Sequence, residues 1–210
     1  MKCVVDHIVY NASDLEGGIA AVERLTGVRA AMGGRHTGLG THNALLSLGD
    51  GTYLEIISGD GSGIRPWPFR LYDSSTHGKL SAFAVRPLEG SIEEHRAALG
   101  AGEVGGMERR RPDGTLLRWQ MTPGPGAPGH EDGPGGGEPW IIDWGASPHP
   151  SSSAPSGCRL ARLEIVDPRG ASLEATLKGT MGLTTPVEFA VGEPASVVAV
   201  IESPNGIVRL

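Results

Sequence analysis

One order of predicted elements, strand–helix–strand–strand–strand, occurs three times along this 210-residue chain. The first copy begins with a β-branched strand from Cys3 to Tyr10 and continues with a helix from Leu15 that Gly27 ends. Only the order of the elements repeats, and the residues themselves do not. Such internal repetition predicts a single domain built of three modules, at about residues 1–58, 79–146 and 158–210.

The later elements of the first module are two strands separated by a tight turn. They are predicted at Thr41 to Leu48 and at Thr52 to Ser58, and a further short strand is expected near residues 28–31. The glycine-rich stretch from Gly33 to Gly40 is predicted to be a loop. The helices of the second and third modules are predicted at Ser91 to Leu99 and at Ala171 to Leu177.

Glycine and proline are unusually frequent, with 33 and 16 residues respectively. Because they show no Gly-X-Y period, the excess indicates many turns rather than collagen. Between Pro123 and Pro139 the chain is almost entirely glycine, proline and acid, which cannot bury enough apolar surface to offset its ordering entropy. Residues 123–139 are therefore predicted to form a mobile loop.

Charge and cysteine usage limit the partners and the compartment. The net charge is -6, so neither nucleic acid nor an anionic membrane is expected to bind. The two cysteines, Cys3 and Cys158, lie far apart and form no C-x-x-C motif, which favours a reducing compartment over a disulfide framework. The sequence contains no apolar run long enough to span a bilayer, and the early charge at Asp6 argues against a signal peptide. We expect a cytoplasmic protein.

Two ionisable residues lie on strands of the first module. His7 is central in the first strand, and Glu55 lies inside the apolar run from Tyr53 to Ile57. A carboxylate buried without a partner costs several kcal/mol, so Glu55 either faces solvent or is paired. If both side chains point to one concave face, they supply a nitrogen and an oxygen ligand for a divalent metal. The alternative is a solvent-facing Glu55 and a half-buried structural His7.

A second group of polar residues surrounds the glycine-rich stretch. His42 and Asn43 are adjacent on a strand, so their side chains point to opposite faces and one of them is expected to face the cavity. Arg35 and His36 lie on the glycine-rich backbone, where exposed N–H groups can hold an anion. The alternatives are strand-edge hydrogen bonding for the first pair and a flexible turn for the second.

Aromatic residues cluster near the end of the second module. Trp119 is predicted on a hairpin strand, Asp143 and Trp144 end the next strand, and His149 follows between two prolines. Together they are typical of an apolar small-ligand pocket with a few polar groups, and equally of a plain tryptophan core. The sequence contains no G-x-S-x-G, G-x-G-x-x-G or H-E-x-x-H motif, which argues against hydrolase, nucleotide-binding and zinc-protease classes.

Several of these segments together resemble a known family. The chain is similar over nearly its whole length to the glyoxalase-like branch of the vicinal oxygen chelate superfamily, which also contains glyoxalase I, extradiol dioxygenases, and fosfomycin and bleomycin resistance proteins. The segments that carry the resemblance are Asp6 to Tyr10, Gly34 to Leu45, Tyr53 to Ile57, Arg111 to Gly114, and Ile141 to Gly145 with Pro148 to Pro150.

The resemblance implies an α+β fold in which paired β-α-β-β-β modules form an open, cup-shaped mixed β-barrel with flanking helices. It also implies a divalent metal held by a histidine on a module's first strand and a glutamate on its last, which His7 and Glu55 match. The corresponding first strands of the later modules carry Leu80 and Arg162 or Leu163 instead. The last strands carry only Asp143 and Arg209, so His42 or Asp143 would have to complete the ligand set.

Two functions are compatible with the resemblance. The first is a metal-dependent isomerase, lyase or dioxygenase that binds a small oxygen-bearing molecule in the cup, with Zn, Ni, Fe or Mn on His7 and Glu55 and with Glu55 and His42 as catalytic residues. Its substrate would be bound by Arg35, His36, Asn43, Trp119, Asp143, Trp144 and His149. The second is a metal-free protein that binds or sequesters a small molecule behind a tryptophan wall. A purely structural domain is a third interpretation, and the unpaired edge of the third module predicts a homodimer.

Overall fold

The computed structural model describes residues 1–62, 77–122 and 137–210, which contain twelve strands and three α-helices. The first module comprises β1 (Lys2–Asn11), α1 (Leu15–Thr26), β2 (Ala31–His36), β3 (Thr41–Ser47) and β4 (Tyr53–Gly59). The second comprises β5 (Lys79–Glu89), α2 (Ile92–Leu99), β6 (Gly105–Arg110), β7 (Leu116–Met121) and β8 (Trp140–Asp143). The third comprises β9 (Arg159–Asp167), α3 (Gly170–Glu174), β10 (Val187–Val191), β11 (Ser196–Ser203) and β12 (Gly206–Arg209).

The first two modules form one barrel. Its strand order is β1-β4-β3-β2-β6-β7-β8-β5, so each module contributes four neighbouring strands in the same internal order. In each module the first strand runs parallel to the last, and the connection between them contains a helix. The predicted α+β class and mixed barrel are confirmed. The ring of strands is hydrogen-bonded all the way round, where an open cup was expected.

The third module has the predicted order of elements but pairs its strands differently. It forms a separate four-stranded sheet of order β10-β9-β11-β12, in which the first strand lies inside the sheet. The sheet is tied to the barrel by backbone hydrogen bonds, among them Leu160 N to Leu48 O at 2.8 Å and Thr184 N to Cys3 O at 3.0 Å. Its helical part is also longer than predicted, because α3 continues into a π-helical turn over Ala175–Thr180.

Both longer helices begin and end where the sequence places caps. Asp14 accepts a hydrogen bond from Gly17 N at 2.7 Å at the start of α1, and Gly27 ends that helix in the left-handed conformation. Ser91 and Glu94 form a reciprocal capping box at the start of α2, and Gly100 closes it. These local signals explain why both helix boundaries are predicted correctly.

The predicted loop from Gly33 to Gly40 is wrong for its first half. Residues 31–36 form β2, which pairs with β3 along its length and with β6 through Arg35 and His36. Glycine is required here because neighbours come very close: a Cβ on Gly33 would overlap the side chain of Asn43, and one on Gly34 would overlap a β6 carbonyl. The glycine run therefore indicates close strand packing, and the short strand predicted near residues 28–31 lies a few residues later.

The glycine- and proline-rich tract predicted to be a mobile loop lies almost entirely outside the described residues. Its end, from Gly137 to Pro139, is described. Gly137 N donates a 2.8 Å hydrogen bond to the buried carboxylate of Asp167, and Glu138 forms a 3.0 Å ion pair with Arg169. The end of the tract is therefore attached to the third module.

The apolar core has two parts. The larger part joins α1, α2, the outer face of the barrel and the third sheet in one continuous cluster that includes Ile19, Leu46, Phe83, Leu163 and Ile201. The smaller part, here called the interior cluster, comprises Val9, Leu45, Tyr53, Ile57, Ala82, Ala84, Leu117, Trp119, Met121, Trp140, Ile142 and Trp144. Both cysteines are free and buried. No helix in the described part of the chain is long and apolar enough to cross a membrane.

Candidate functional site

A cavity of about 50 Å³ adjoins the interior cluster, and several buried polar side chains line it. Six polar side chains line it: His7, His36, Thr41, Asn43, Glu55 and Arg109. Apolar and aromatic side chains form the rest of the wall, among them Leu39, Tyr53, Ile57, Met107, Trp119, Met121, Trp140, Ile142 and Trp144. Such a small, mostly apolar cavity with a few convergent polar groups is typical of a small-ligand site.

His7 enters the cavity because β1 contains a bulge. Val5 pairs with Val85 and His7 with Ala84 on β5, so Asp6 is an extra residue between two consecutive pairs. The bulge brings two adjacent buried side chains together, and His7 Nδ1 lies 2.7 Å from Asp6 Oδ1. His7 also stacks on the ring of Tyr53, with 4.9 Å between the ring centres.

Asp6 is completely buried and receives hydrogen bonds from several directions. His149 Nε2 lies 2.8 Å and Trp144 Nε1 3.2 Å from Oδ2, and Arg86 Nε forms an ion pair with the same oxygen at 3.3 Å without hydrogen-bond geometry. Burial raises the pKa of this carboxyl, but the hydrogen bonds from His149 and His7 outweigh it and lower the pKa to about 2. Ionised Asp6 can only accept, so His7 carries a proton on Nδ1 and directs Nε2 away from Asp6.

Glu55 lies opposite His7. Its Oε2 is 3.8 Å from His7 Nε2, and its Oε1 is 3.6 Å from His36 Nε2 and accepts a hydrogen bond from Asn43 Nδ2. Burial raises the pKa of Glu55, but nearby His36 and His7, the Asn43 hydrogen bond and the Arg109 charge together lower it below the usual value. Glu55 is therefore ionised at neutral pH, and its Oε2 has no hydrogen-bond donor within the described part of the chain.

Arg109 places a buried positive charge beside this carboxylate. Its side chain is only 2% exposed, and NH1 donates a 2.8 Å hydrogen bond to Asn43 Oδ1. Asn43 thus joins the two charged groups, since its amide nitrogen binds Glu55 and its oxygen binds Arg109. Burial lowers the pKa of Arg109, although a guanidinium stays protonated near neutral pH.

His36 completes the polar side of the cavity. Its Nδ1 lies 2.8 Å from Thr41 Oγ1, and its ring packs edge-on against Trp119 at 6.1 Å. Burial lowers the pKa of His36 to about 4, against the opposing effect of Glu55. His36 is therefore neutral at pH 7.

The structure brings six of the predicted site residues together at the cavity: His7, His36, Asn43, Glu55, Trp119 and Trp144. His149 lies behind them, where it binds Asp6. Asp143 is exposed and accepts a hydrogen bond from Gly145 N at 2.8 Å. Neither Arg35 nor His42 lines the cavity: the Arg35 side chain is 64% exposed and pairs with Asp60, and His42 lies on the face of β3 opposite Asn43.

Three residues of the site escape prediction from the sequence. Tyr53 and Arg109 carry a readable signal, because each lies two residues from a cavity residue on its strand, Glu55 and Met107 respectively. Arg109 is hidden in the run Arg109 to Arg111, which is typical of a solvated face. Asp6 carries no such signal, since strict alternation places it on the face opposite His7.

The cavity does not fit the metal site that the resemblance implies. The described residues contain no group of three or more His, Cys, Asp or Glu side chains that can hold a metal ion. On the second-module side, the interior cluster has Ala82, Ala84, Trp140 and Ile142 on the first and last strands, and these provide no ligand. The Arg109 cation beside Glu55 further opposes a second positive charge.

Comparisons with known proteins agree with this architecture. The model of the glyoxalase-like domain family matches residues 5–181. Among solved structures, a hypothetical protein from Staphylococcus aureus is 12% identical with a TM-score of 0.69, over 100% of this chain and 98% of that one. A mutant of 4-hydroxymandelate synthase from Streptomyces coelicolor is 11% identical with a TM-score of 0.52, over 99% of this chain and 61% of that one.

These similarities to solved structures establish the fold alone, because the identities are low. Methylmalonyl-CoA epimerase from Mycobacterium tuberculosis is 17% identical over 66% of this chain and 84% of that one. Its TM-score is 0.43, which is too low to support a conclusion about this chain. A search of curated proteins finds no match.

Proposed function

The chain belongs to the glyoxalase-like domain family of the vicinal oxygen chelate superfamily, and we propose that it is an enzyme that moves a proton on a small oxygen-bearing molecule. Glu55 is the proton acceptor, His7 is its partner in proton transfer, and Arg109 stabilises the negative charge that develops on the substrate oxygen. The reaction class is isomerase or lyase chemistry that begins by removing a proton next to a carbonyl group, and it uses no resident metal.

The pairing of His7 Nε2 with Glu55 Oε2 supports this proposal most directly. The two atoms lie 3.8 Å apart, on side chains that are at least nine-tenths buried. Glu55 is ionised and its Oε2 has no hydrogen-bond donor within the described part of the chain, so this oxygen is available to accept a proton. Since His7 is held through Nδ1 by Asp6, its Nε2 is fixed beside that oxygen.

The proposed step is balanced in atoms and charge. The C–H bond next to the substrate carbonyl breaks, its proton goes to Glu55 Oε2, and the electron pair forms an enolate whose charge lies on the carbonyl oxygen. The guanidinium of Arg109 stabilises that charge in a cavity with a mostly apolar and aromatic wall, where such an interaction is stronger than in solution. Return of the proton to the same or a neighbouring atom gives isomerisation, and departure of a leaving group gives a lyase.

His7 and Asn43 support the base. His7 accepts the proton from Glu55 on Nε2 and returns it, while Asp6 stabilises the imidazolium that forms. Asn43 fixes the orientation of Glu55 by donating to Oε1, which leaves Oε2 for the proton. The hydrogen bonds support these roles, because Asn43 occupies Oε1 of Glu55 and leaves Oε2 toward the cavity.

Solvent isotope exchange tests the proposal across a whole class of substrates at once. The purified chain is incubated in D₂O with a panel of small carbonyl compounds, and deuterium incorporation next to the carbonyl is measured by mass spectrometry. We expect exchange above the buffer rate for some members, and at least a hundredfold loss in Glu55→Gln and in His7→Asn.

The matched control is Glu108→Gln, which alters a glutamate on β6 that forms a 3.5 Å ion pair with Arg118 on the neighbouring strand. Exchange in this variant should equal that of the wild type. Unchanged exchange in Glu55→Gln would overturn the proposal.

A second candidate is a metal-free protein that binds and sequesters a small molecule. The packing of Trp119 against Trp144, with 5.1 Å between ring centres, favours it because the two rings form an aromatic wall for the cavity. The same experiment separates the two candidates. A compound that changes tryptophan fluorescence without any exchange indicates binding alone.

A further inference from the structure

The two modules contribute opposite chemistry to the cavity. The first module, through β1 and β4, contributes His7 and Glu55, whereas the second, through β6, β7 and β8, contributes Arg109, Trp119 and Trp140. We infer that Arg109 and the indole N–H groups of Trp119 and Trp140 form a binding site for a small carboxylate or a similar paired-oxygen group of the substrate. This inference deepens the proposed function by assigning its substrate class.

Two buried indole donors carry the inference. Trp119 is 8% exposed and Trp140 is 5% exposed, and within the described part of the chain neither Nε1 atom has a hydrogen-bond partner. Leaving a buried donor unsatisfied destabilises the protein, so such groups usually have a partner. Both residues line the cavity, and we assign the acceptor atoms of a ligand bound there as the partners of the two donors.

The third tryptophan of the cavity differs from the other two, because a protein group already accepts its indole N–H. Trp144 also lines the cavity, but its Nε1 donates to both oxygens of Asp6, at 3.2 and 3.3 Å. Its donor is therefore used by the protein, while those of Trp119 and Trp140 are not. The unsatisfied indoles adjoin the two cavity histidines, with Trp140 6.5 Å from His7 and Trp119 6.1 Å from His36 between ring centres.

Charge and size define the ligand group further. Arg109 is a buried cation, and its one described hydrogen bond goes to the neutral oxygen of Asn43. An anionic oxygen beside Arg109 would gain a charge-assisted hydrogen bond, which is stronger than the bond that a neutral oxygen makes. The cavity of about 50 Å³ has room for about four water-sized groups, which matches a carboxylate with one or two further atoms.

The test observes the indole N–H groups directly. The chain is labelled with ¹⁵N at its tryptophans, the indole signals are assigned with Trp→Phe variants, and the protein is titrated with acetate and pyruvate. We expect the signals of Trp119 and Trp140 to shift downfield with saturation, while that of Trp144 moves little. Acetamide, the neutral control of similar size, should bind at least tenfold more weakly.

Variants separate the loss of a donor from the loss of the cavity wall. Trp119→Phe and Trp140→Phe each keep an aromatic ring and lose the N–H, and each should weaken pyruvate binding about fivefold, the equivalent of about 1 kcal/mol. Met181→Leu changes a buried methionine of the larger apolar core that does not line the cavity, and its affinity should stay within twofold of the wild type.

The result that overturns the inference is an indole spectrum that no carboxylate changes, which would mean that buried water satisfies these donors. The failure of this inference is distinguishable from that of the proposed function. If deuterium exchange occurs but the indole signals stay fixed, the carboxylate site is wrong and the base stands. If the signals shift but no exchange occurs, the chain binds carboxylates without acting on them.

Discussion

His7 Nδ1 lies 2.7 Å from Oδ1 of Asp6, the residue immediately before it on the same strand. Adjacent residues on a regular strand point to opposite faces, and this contact exists because the β1 bulge lets both side chains lie on one side. The bulge thereby buries an acid–histidine pair at the cavity. The contact with Asp6 places the proton of His7 on Nδ1 and fixes the orientation of the ring, so that Nε2 points away from Asp6.

Replacing Asp6 should destabilise the fold and release His7. In Asp6→Asn the charge that binds His7, His149 and Arg86 is lost, so we expect the free energy of unfolding to fall by about 3 kcal/mol. Long-range ¹H–¹⁵N spectra should show His7 in mixed tautomers, which a purely structural loss would not produce. The exposed carboxylate of Asp143 is the control, and urea unfolding of Asp143→Asn should match the wild type within about 0.5 kcal/mol. Equal unfolding curves for the two variants would refute this role of Asp6.

Gly33 should be essential to the site although it carries no side chain. A Cβ there would overlap both Asn43 Oδ1 and Arg109 NH1, the two atoms of the hydrogen bond that joins the modules. Gly33→Ala is therefore expected to lose at least tenfold in carboxylate affinity and about 1–3 kcal/mol in stability. In Gly105→Ala, on β6, the added Cβ meets nothing within 4 Å, so both quantities should be near those of the wild type. If the two alanine variants bind carboxylates equally well, the close approach at Gly33 is unimportant.

His36 should make the fold less stable in mild acid. Its pKa is about 4 in the folded state and 6.5 in the unfolded state, chiefly because of burial, with Glu55 opposing and Arg109, His7 and His42 adding to the shift. Between pH 6.5 and about pH 4, His36 therefore binds a proton in the unfolded chain but not in the folded chain. Protonation of His36 in the unfolded chain therefore does not lower the free energy of unfolding above pH 6.5, and it lowers this free energy progressively as the pH falls toward 4.

The effect of His36 should amount to about 3 kcal/mol between pH 7 and pH 4. Urea unfolding of the wild type and of His36→Gln over this range isolates it, because the other titrating groups are shared. The wild type should lose about 3 kcal/mol more than the variant. Parallel pH profiles would show that His36 is not buried in its neutral form.

Much of the fold is predictable from local signals. The caps at Asp14 and Ser91 and the β-branched strands fix most element boundaries, and the repeated order of elements gives the two barrel modules. The third module shares that order, but strand order depends on long-range pairing, which the sequence pattern does not encode. For the same reason β2 reads as a loop, because its glycines serve contacts with Asn43 and β6. The homodimer expected from the edge strands of the third sheet stays a prediction.

The candidate site is predictable only in part. Regular alternation and family resemblance identify His7 and Glu55, and the structure places them 3.8 Å apart. Alternation cannot say which of His42 and Asn43 faces inward, because that depends on the register between β3 and β4. Asp6 is out of reach for a stronger reason, since a bulge breaks the two-residue period on which the prediction depends.

The measurement that tests the account most directly is deuterium exchange by metal-free protein. The chain is depleted of metal by exhaustive chelation, its metal content is measured by elemental mass spectrometry, and exchange is assayed on the compounds that the untreated protein accepts. Because Glu55 is the base and Arg109 stabilises the enolate, the account predicts an unchanged rate with far less than one metal per chain. Loss of exchange on chelation, with recovery on adding one equivalent of zinc, nickel, iron or manganese, would contradict it and make His7 and Glu55 metal ligands.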